Sequence, residues 1–476
     1  MRVKTLLNLK EVVNNHKVNS LKTNSKIIKE NDVFYAIKGS NYDGNNYIEE
    51  AIKNGAKTII TEDELKMKNK YKEINFIKVL DVRKTLALHA KKFYKDISKN
   101  MTLIGVTGTN GKTTVTTLVY KYFQYLNKKA TLIGTNGIYI MNSFYETKNT
   151  TPDILELYEI LTESKKKGVD TVVMEVSSHA IKMFRVYGLE FKIALITNLT
   201  QDHLDFHKSM EDYKYTKGLF LSSIKKNKVV IINKDMDDAK FFIDLSNAKT
   251  YTYGMKDADY QLLDYKLKIT GSTFLVKIRK EIYSINTKLL GLFNLYNIIA
   301  FLAIVDNLGL FNNKTIEFLN TKINILGRME VINLDNRYFV IDFAHTPDGV
   351  YNVLKFLNQV KENNLIVVLG CGGDRDKSKR KIMGKIATEN ANLAIFTNDN
   401  PRTEDPNAII NDILEGVEKK NYIVILDRKM AIEEAYKRSL NGDIIVILGK
   451  GNEQYQIIGN TKYKFSDKEV VMGIQR

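Results

Sequence analysis

The sequence predicts an α/β protein of three domains, the central one built on a P-loop parallel sheet and the last Rossmann-like. Three observations carry this. From residue 101 onward, strand-length apolar runs alternate with helical patterns. Within Thr102–Thr114, T-L-I-G-V-T-G-T-N-G-K-T-T, an apolar strand, a glycine-bearing turn and a helix start follow one another. Polar residues and glycines crowd the carboxyl ends of the strands, where open α/β sheets bind ligands.

The segment 102–114 carries the first chemistry. Backbone N–H groups of a loop turning on Gly108, Thr109, Asn110 and Gly111 converge on a polyphosphate at the positive end of the next helix. Lys112 suits the β/γ-phosphates, and the hydroxyls of Thr113 and Thr114 open the helix, Thr113 as a Mg²⁺ ligand. Val106 stands where the usual G-x-x-x-x-G-K-[ST] pattern has its first glycine. The expected ligand is ATP or a close relative.

Composition narrows the class. The chain has 476 residues and 44% hydrophobic residues, enough for three ordinary cores. No apolar run reaches bilayer length, and M-R-V-K-T-L-L-N-L-K lacks the apolar core of a signal peptide. The single cysteine, Cys371, excludes internal disulfides. A cytoplasmic monomer without stable membrane insertion is expected. The net charge of +17 comes from lysines spread along the chain among asparagines, with no basic block. Nucleic acid is therefore not an expected partner, although a positive field favours nucleotide substrates.

Along the chain, residues 1–98 contain strand-like runs at 33–37, 58–61 and 76–79, a helix around 47–54, and a polar loop at 39–47. The second domain, 99–326, has strands at 102–107, 131–133, 171–176, 194–197 and 229–232. Glu175 and His203 follow strands on the phosphate-loop edge, which makes them candidate metal ligands. Lys217 lies on a helix beside Tyr213, Thr216 and Phe220, and spacing alone predicts a snorkelling lysine there. Short strands and turns are expected over 258–290, then a helix from 291 with Asn294 and Asn297 near its mouth. The third domain, 327–476, has a Rossmann-like pattern with strands at 338–341, 366–369, 393–396, 422–426 and 444–448. Its strand ends, 342–348, 370–376, 398–402 and 449–453, make four polar loops on one edge.

Taken together, N-T-T-P-D (149–153), E-V-S-S-H-A (175–180), T-Q-D-H-L-D-F-H (200–207), A-H-T-P-D (344–348), G-G-D-R-D (372–376) and D-N-P-R-T-E-D-P (399–406) resemble the Mur ligases. These are ATP-dependent amide-bond formers of peptidoglycan synthesis, and a phosphate loop without the first Walker glycine is typical of them. The closest resemblance is to the tripeptide-synthetase branch, which adds the third residue of the stem peptide. The resemblance implies a UDP-sugar domain, an ATP and Mg²⁺ domain, and an amino-acid domain, in that order. It implies that Ser25, Asn149, Thr150, Thr151, Ser177, Met183 and Arg185 hold a UDP-N-acetylmuramoyl-dipeptide. Met183 replaces a glutamine, and of the family's D-S-R only Ser25 carries over. Asn294, Arg328 and Asp342 match positions near the adenosine. Thr113, Glu175, His203 and Lys217 match metal-site positions, Lys217 as the lysine carbamylated by CO₂ in this family. This implication reverses the snorkelling expectation. Arg375, Asp399, Asn400, Pro401, Arg402, Gly449 and Glu453 match amino-acid contacts, with Asn452 where the family has histidine.

The implied reaction activates the D-glutamate carboxylate as an acyl phosphate, which the amine of a diamino diacid then displaces. Meso-2,6-diaminopimelate and its isostere meso-lanthionine both fit. Lys112, Lys217 and His345 are the catalytic candidates, His345 orienting the acyl phosphate or the amine. Three alternatives remain: the L-lysine-adding version of the ligase, a P-loop ATPase of another class, and a non-catalytic UDP-sugar-binding protein.

Overall fold

The computed structural model describes residues 1–39, 42–64, 66–321 and 323–474, so Ser40 and Asn41 of the polar loop at 39–47 lie outside the described residues. The chain forms two compact units, residues 1–105 with 129–192, and residues 106–128 with 193–476.

In the first unit, strands Leu21–Lys22, Val33–Tyr35, Thr58–Thr61 and Asn75–Lys78 make a parallel sheet in chain order. Phe34, Ile48, Ala51, Ile59 and Phe76 share the core beneath it. The strand expected at 33–37 stops at Tyr35, because the Ile37 carbonyl turns to accept the Gly44 N–H. The helix expected at 47–54 enters through a tight turn at Gly44–Tyr47 and runs over Ile48–Lys53. A second group of strands lies in the order Thr171–Glu175, Ala130–Gly134, Gly137–Ile140 and Ser143–Tyr145. The first two are parallel and the rest form two antiparallel hairpins. Asn136-Gly137 marks the first of these turns, a signal the strand expected at 131–133 leaves unused, while Met141-Asn142 at the second is a weak one.

In the second unit, strands Phe191–Ile196, Val229–Asn233, Lys249–Gly254 and Tyr260–Lys268 are parallel neighbours. Gly271–Ile278 and Glu281–Thr287 follow antiparallel. The region expected as short strands at 258–290 is thus a meander of full-length strands with alternating burial. The helices Lys112–Tyr125 and Leu292–Asn307 pack together, the second buried on nearly all sides as its apolar composition requires.

A six-stranded sheet completes this unit. Its order is Glu330–Leu334, Arg337–Asp342, Ile444–Leu448, Leu365–Leu369, Leu393–Phe396 and Tyr422–Val424, the first strand antiparallel and the others parallel. Apolar clusters cover both faces. The register sets Asp342, Leu448, Leu369 and Phe396 side by side. The four loops that follow them therefore open on one edge. Helix Pro347–Val360 starts where Thr346 caps the Gly349 N–H at 3.1 Å, with proline in its first turn. Its buried Val350, Val353, Leu354 and Leu357 follow the helical period.

Candidate active site

The phosphate loop is shaped by close approach. Gly108 has φ +134°, and a Cβ there would meet Thr197 Oγ1 at 1.9 Å. Gly111 has φ +87°, and its Cβ would meet Asn297 Oδ1 at 2.4 Å. Neither position accepts a side chain. Asn198 clamps Asn110 from both sides, accepting its N–H at 2.9 Å and donating to its carbonyl at 3.2 Å. The Asn110 side chain donates to Asp348 at 3.1 Å, which ties the loop to the first turn of Pro347–Val360. Thr109 is held between Tyr213 and Thr200.

Two lysine side chains meet at one carbonyl. Lys112 Nζ donates to the carbonyls of Gly108 at 2.9 Å and Thr109 at 2.8 Å. Lys217 Nζ donates to the same Gly108 oxygen at 2.9 Å and sits 4.4 Å from the Tyr213 ring centroid. Lys217 is 1% exposed, so the snorkelling geometry suggested by spacing does not occur. The helix Met210–Ser222 turns Thr216, Lys217, Phe220 and Leu221 inward together. Burial, and then the neighbouring Lys112, push the Lys217 amine well below its ordinary pKa.

Asp202 organises the opposite charge. Burial alone would raise its pKa, but His203, His345, Lys379 and Lys112 hold it at about 2. Its carboxylate lies 3.3 Å from His203 Nε2 and 3.8 Å from Lys379 Nζ. His345 is pushed down to about 4 by burial and then by Lys379, so its ring is neutral at pH 7. Its Nδ1 lies 2.9 Å from the Phe343 carbonyl, which fixes the proton there and leaves Nε2 as the acceptor. Arg328 stacks on Phe343 at 4.7 Å and donates to Thr113 Oγ1 at 3.1 Å. Burial raises the Asp342 pKa, while the Met329 and Ala344 N–H groups, both at 2.8 Å, fix its two oxygens. Asn294 accepts from Asn297, the residue that abuts Gly111. Thr114 is buried at the helix start.

In the first unit, the buried Glu175 accepts from the Thr135 N–H at 2.9 Å and from its hydroxyl at 3.2 Å. Thr151 donates to the Glu175 carbonyl at 2.8 Å and receives the Ser177 N–H at 3.1 Å. Arg185 donates to the Thr151 carbonyl at 3.0 Å and pairs with Asp153 at 2.8 Å. The Met183 sulfur accepts from Arg185 at 3.5 Å, a weak version of the bond that a glutamine oxygen would make. Thr150 bonds Thr135, and the Asn149 N–H and carbonyl are held by Thr147. Ser25 is buried, and its hydroxyl is already given to Glu50 at 2.5 Å.

The four loops of the six-stranded sheet bring a third group together. Arg402 Nη1 donates to the Gly373 carbonyl at 2.6 Å. Its guanidinium is brought below its ordinary pKa by burial and then by Arg375. Both arginines flank Gly372. Asn400 donates to Glu453 at 2.9 Å, and burial raises the pKa of Asp399, which packs against Gly449. Pro401 is buried, with its carbonyl against Gly373.

Comparison with known proteins accounts for this arrangement. The descriptions Mur ligase family, catalytic domain; Mur ligase middle domain; and Mur ligase, glutamate ligase domain match residues 17–94, 106–305 and 327–451. A UDP-N-acetylmuramoyl-L-alanyl-D-glutamate--2,6-diaminopimelate ligase of Halalkalibacterium halodurans is 40% identical over 461 residues, 96% of this chain and 94% of its own. The chain belongs to the Mur ligase family. The Caldanaerobacter subterraneus and Aquifex aeolicus proteins of the same description are 41% and 39% identical over 454 and 459 residues, covering 94% and 96% of this chain and 93% and 94% of their own. A solved structure described as that ligase has TM-score 0.71 at 32% identity, over 100% of this chain and 98% of its own. The Thermotoga maritima MurF ligase with ADP shares the fold, at TM-score 0.63 and 20% identity, over 90% and 93%. This Mur ligase is thus an ATP-dependent enzyme that forms amide bonds. Among the described residues, no helix is long and apolar enough to cross a membrane.

Four residues of this Mur ligase site had no role in the sequence reading. Asp202 stands inside T-Q-D-H, directly before His203. Asn198 ends a strand at the phosphate-loop edge, a position that is itself a signal. Lys379 and Lys450 each sit in or after a polar strand-end loop. Their burial is visible only in three dimensions, because nothing in a lysine's sequence neighbours announces a buried ammonium.

Proposed function

We propose that the protein joins a diamino diacid, meso-2,6-diaminopimelate or an isostere such as meso-lanthionine, to UDP-N-acetylmuramoyl-L-alanyl-D-glutamate at the expense of ATP. The observation that carries the reading is the phosphate loop itself, where the Lys112 ammonium and the buried Nζ of Lys217 converge on the Gly108 carbonyl. A phosphoryl-transfer site needs concentrated positive charge and positioning more than covalent chemistry. The names and coverage of the relatives support the substrate assignment.

In this reading residues 1–98 bind the UDP-sugar, 99–326 bind ATP, and 327–476 bind the amino acid. Ser25, Asn149, Thr150, Thr151, Ser177, Met183 and Arg185 hold the nucleotide-sugar dipeptide. Asn294, Arg328 and Asp342 hold the adenosine, and Gly108–Thr114 the phosphates. Lys112 neutralises charge on the transferred phosphoryl group, and the dipeptide carboxylate becomes an acyl phosphate. The amine then attacks the acyl carbon and expels inorganic phosphate, and His345, holding its proton on Nδ1, offers Nε2 to orient that amine or take its proton.

The residues suit Mg²⁺. The Thr113 hydroxyl and a carbamate on Lys217 are hard oxygen donors, and Mg²⁺ sites use one or two carboxylates together with substrate phosphates. Within the second unit, Thr113, His203 and a carbamylated Lys217 would hold it. Carbamylation converts a buried, pKa-depressed amine, which is the nucleophilic form CO₂ requires, into a carboxylate. When bound, the ion would neutralise phosphate oxygens.

ADP release tests the proposal. It is expected to need the UDP-dipeptide and Mg²⁺, and Lys112→Ala is expected to be folded but inactive. Robust hydrolysis by Lys112→Ala would refute it.

A further inference from the structure

We propose that Lys450 is a positioning residue for the incoming amino acid, resting on the reading that this substrate binds at the edge of the six-stranded sheet. Lys450 is fully buried. Its Nζ donates to Asn400 Oδ1 at 3.0 Å and to Glu453 Oε2 at 2.9 Å. Asn400 closes the triangle, donating from Nδ2 to the same Glu453 oxygen at 2.9 Å. An ammonium is costly to bury unless it is paired and hydrogen-bonded, so a buried one fixes its partners strongly.

The triangle determines how both partners present themselves. Asn400 Oδ1 accepts from Lys450 and from the Ile457 N–H at 2.9 Å, so its carboxamide has one orientation. Glu453 has Oε2 committed to Lys450 and Asn400, which leaves Oε1 for an ammonium group of the substrate. The Glu453 N–H also bonds the Lys450 carbonyl at 3.0 Å, so the two residues form one rigid turn. Nearby, Gln456 donates to the Asp399 carbonyl at 2.8 Å and braces the same loop. Lys450 acts through Glu453 and Asn400 and does not itself touch the substrate.

The test is the full-length enzyme with Lys450→Met, which keeps the length and removes the ammonium. The KM for meso-diaminopimelate is expected to rise at least about tenfold, as for a lost charge-assisted bond. The KM values for ATP and UDP-dipeptide are expected to stay within about twofold. The double variant Lys450→Met with Glu453→Gln is expected to match Glu453→Gln alone, because the first residue works through the second. Lys450→Gln replaces Lys450→Met should the latter fail to fold, and is judged by the same split. An unchanged amino-acid KM, equal rises for all three substrates, or multiplying losses in the double variant would overturn the proposal. If the wild-type enzyme ligates no diamino acid, the underlying reading fails instead.

Discussion

Replacing Arg402 by alanine is expected to remove the preference for a diacid over L-lysine. The substitution is clean. Arg402 adopts φ +52°, and alanine meets the same left-handed cost, so the change falls on the side chain alone. Its backbone is pinned by its N–H to Ile457 at 3.1 Å and by its carbonyl to the Gly459 N–H at 2.7 Å, so the loop keeps its course. The guanidinium is half-buried, where a fork to a carboxylate is worth most. Removing one partner of such a pair costs about 2–5 kcal/mol. Arg375 remains beside Gly372 and compensates in part, so the lower end, about 2–3 kcal/mol, is expected. That is a loss of roughly 30- to 150-fold in kcat/KM for meso-diaminopimelate and for meso-lanthionine. L-Lysine, which lacks the distal carboxylate, should lose far less. The assay compares kcat/KM for the three amino acids in wild type and variant. Equal losses for all three would refute the assignment of Arg402 as selector.

Further outcomes follow from the same geometry. Lys217→Ala is expected to lose most activity, with partial recovery in acetate, and Lys217→Arg to stay inactive; normal activity of the arginine variant would exclude carbamylation. Arg428 and Asp467 form a fully buried pair with contacts at 2.7 and 2.8 Å, so Arg428→Met is expected to cost about 3–5 kcal/mol in urea unfolding of the C-terminal sheet. A loss under about 1 kcal/mol would show that the pair is dispensable. His345 has a folded pKa of about 4, below the unfolded value of about 6.5, so its contribution is complete above the latter and is lost as pH falls through the former. His345→Gln should therefore flatten part of the stability decline between pH 6.5 and 4, and identical declines would contradict the buried neutral ring.

Much of this architecture is legible in the sequence because it is local. The strand at 102–107 and its glycines announce themselves, since a phosphate loop is built from consecutive residues. The parallel strands at 366–369, 393–396 and 444–448 read as unbroken apolar runs for the reason that both of their faces are covered. Lys217 marks where local reasoning ends. Its spacing favours a solvated head group, and only the packing of Tyr213 and the phosphate loop around it reveals a buried amine. The Asp202 cluster and the Lys450 triangle draw on residues 50 to 177 positions apart, as in Lys450–Asn400 and Asp202–Lys379, and no window of sequence contains them. The hairpins at 130–145 differ: Asn136-Gly137 does mark the first turn, whereas the second turns on Met141-Asn142, which carries no such pair.

The central claim is tested most directly by the mass of the product. The enzyme is supplied with ATP, Mg²⁺, UDP-N-acetylmuramoyl-L-alanyl-D-glutamate and an equimolar mixture of meso-diaminopimelate, meso-lanthionine and L-lysine. The account predicts a UDP-muramoyl-tripeptide carrying one of the two diacids, formed in step with ADP. A product carrying L-lysine, or ADP released with no UDP-linked product, would contradict it.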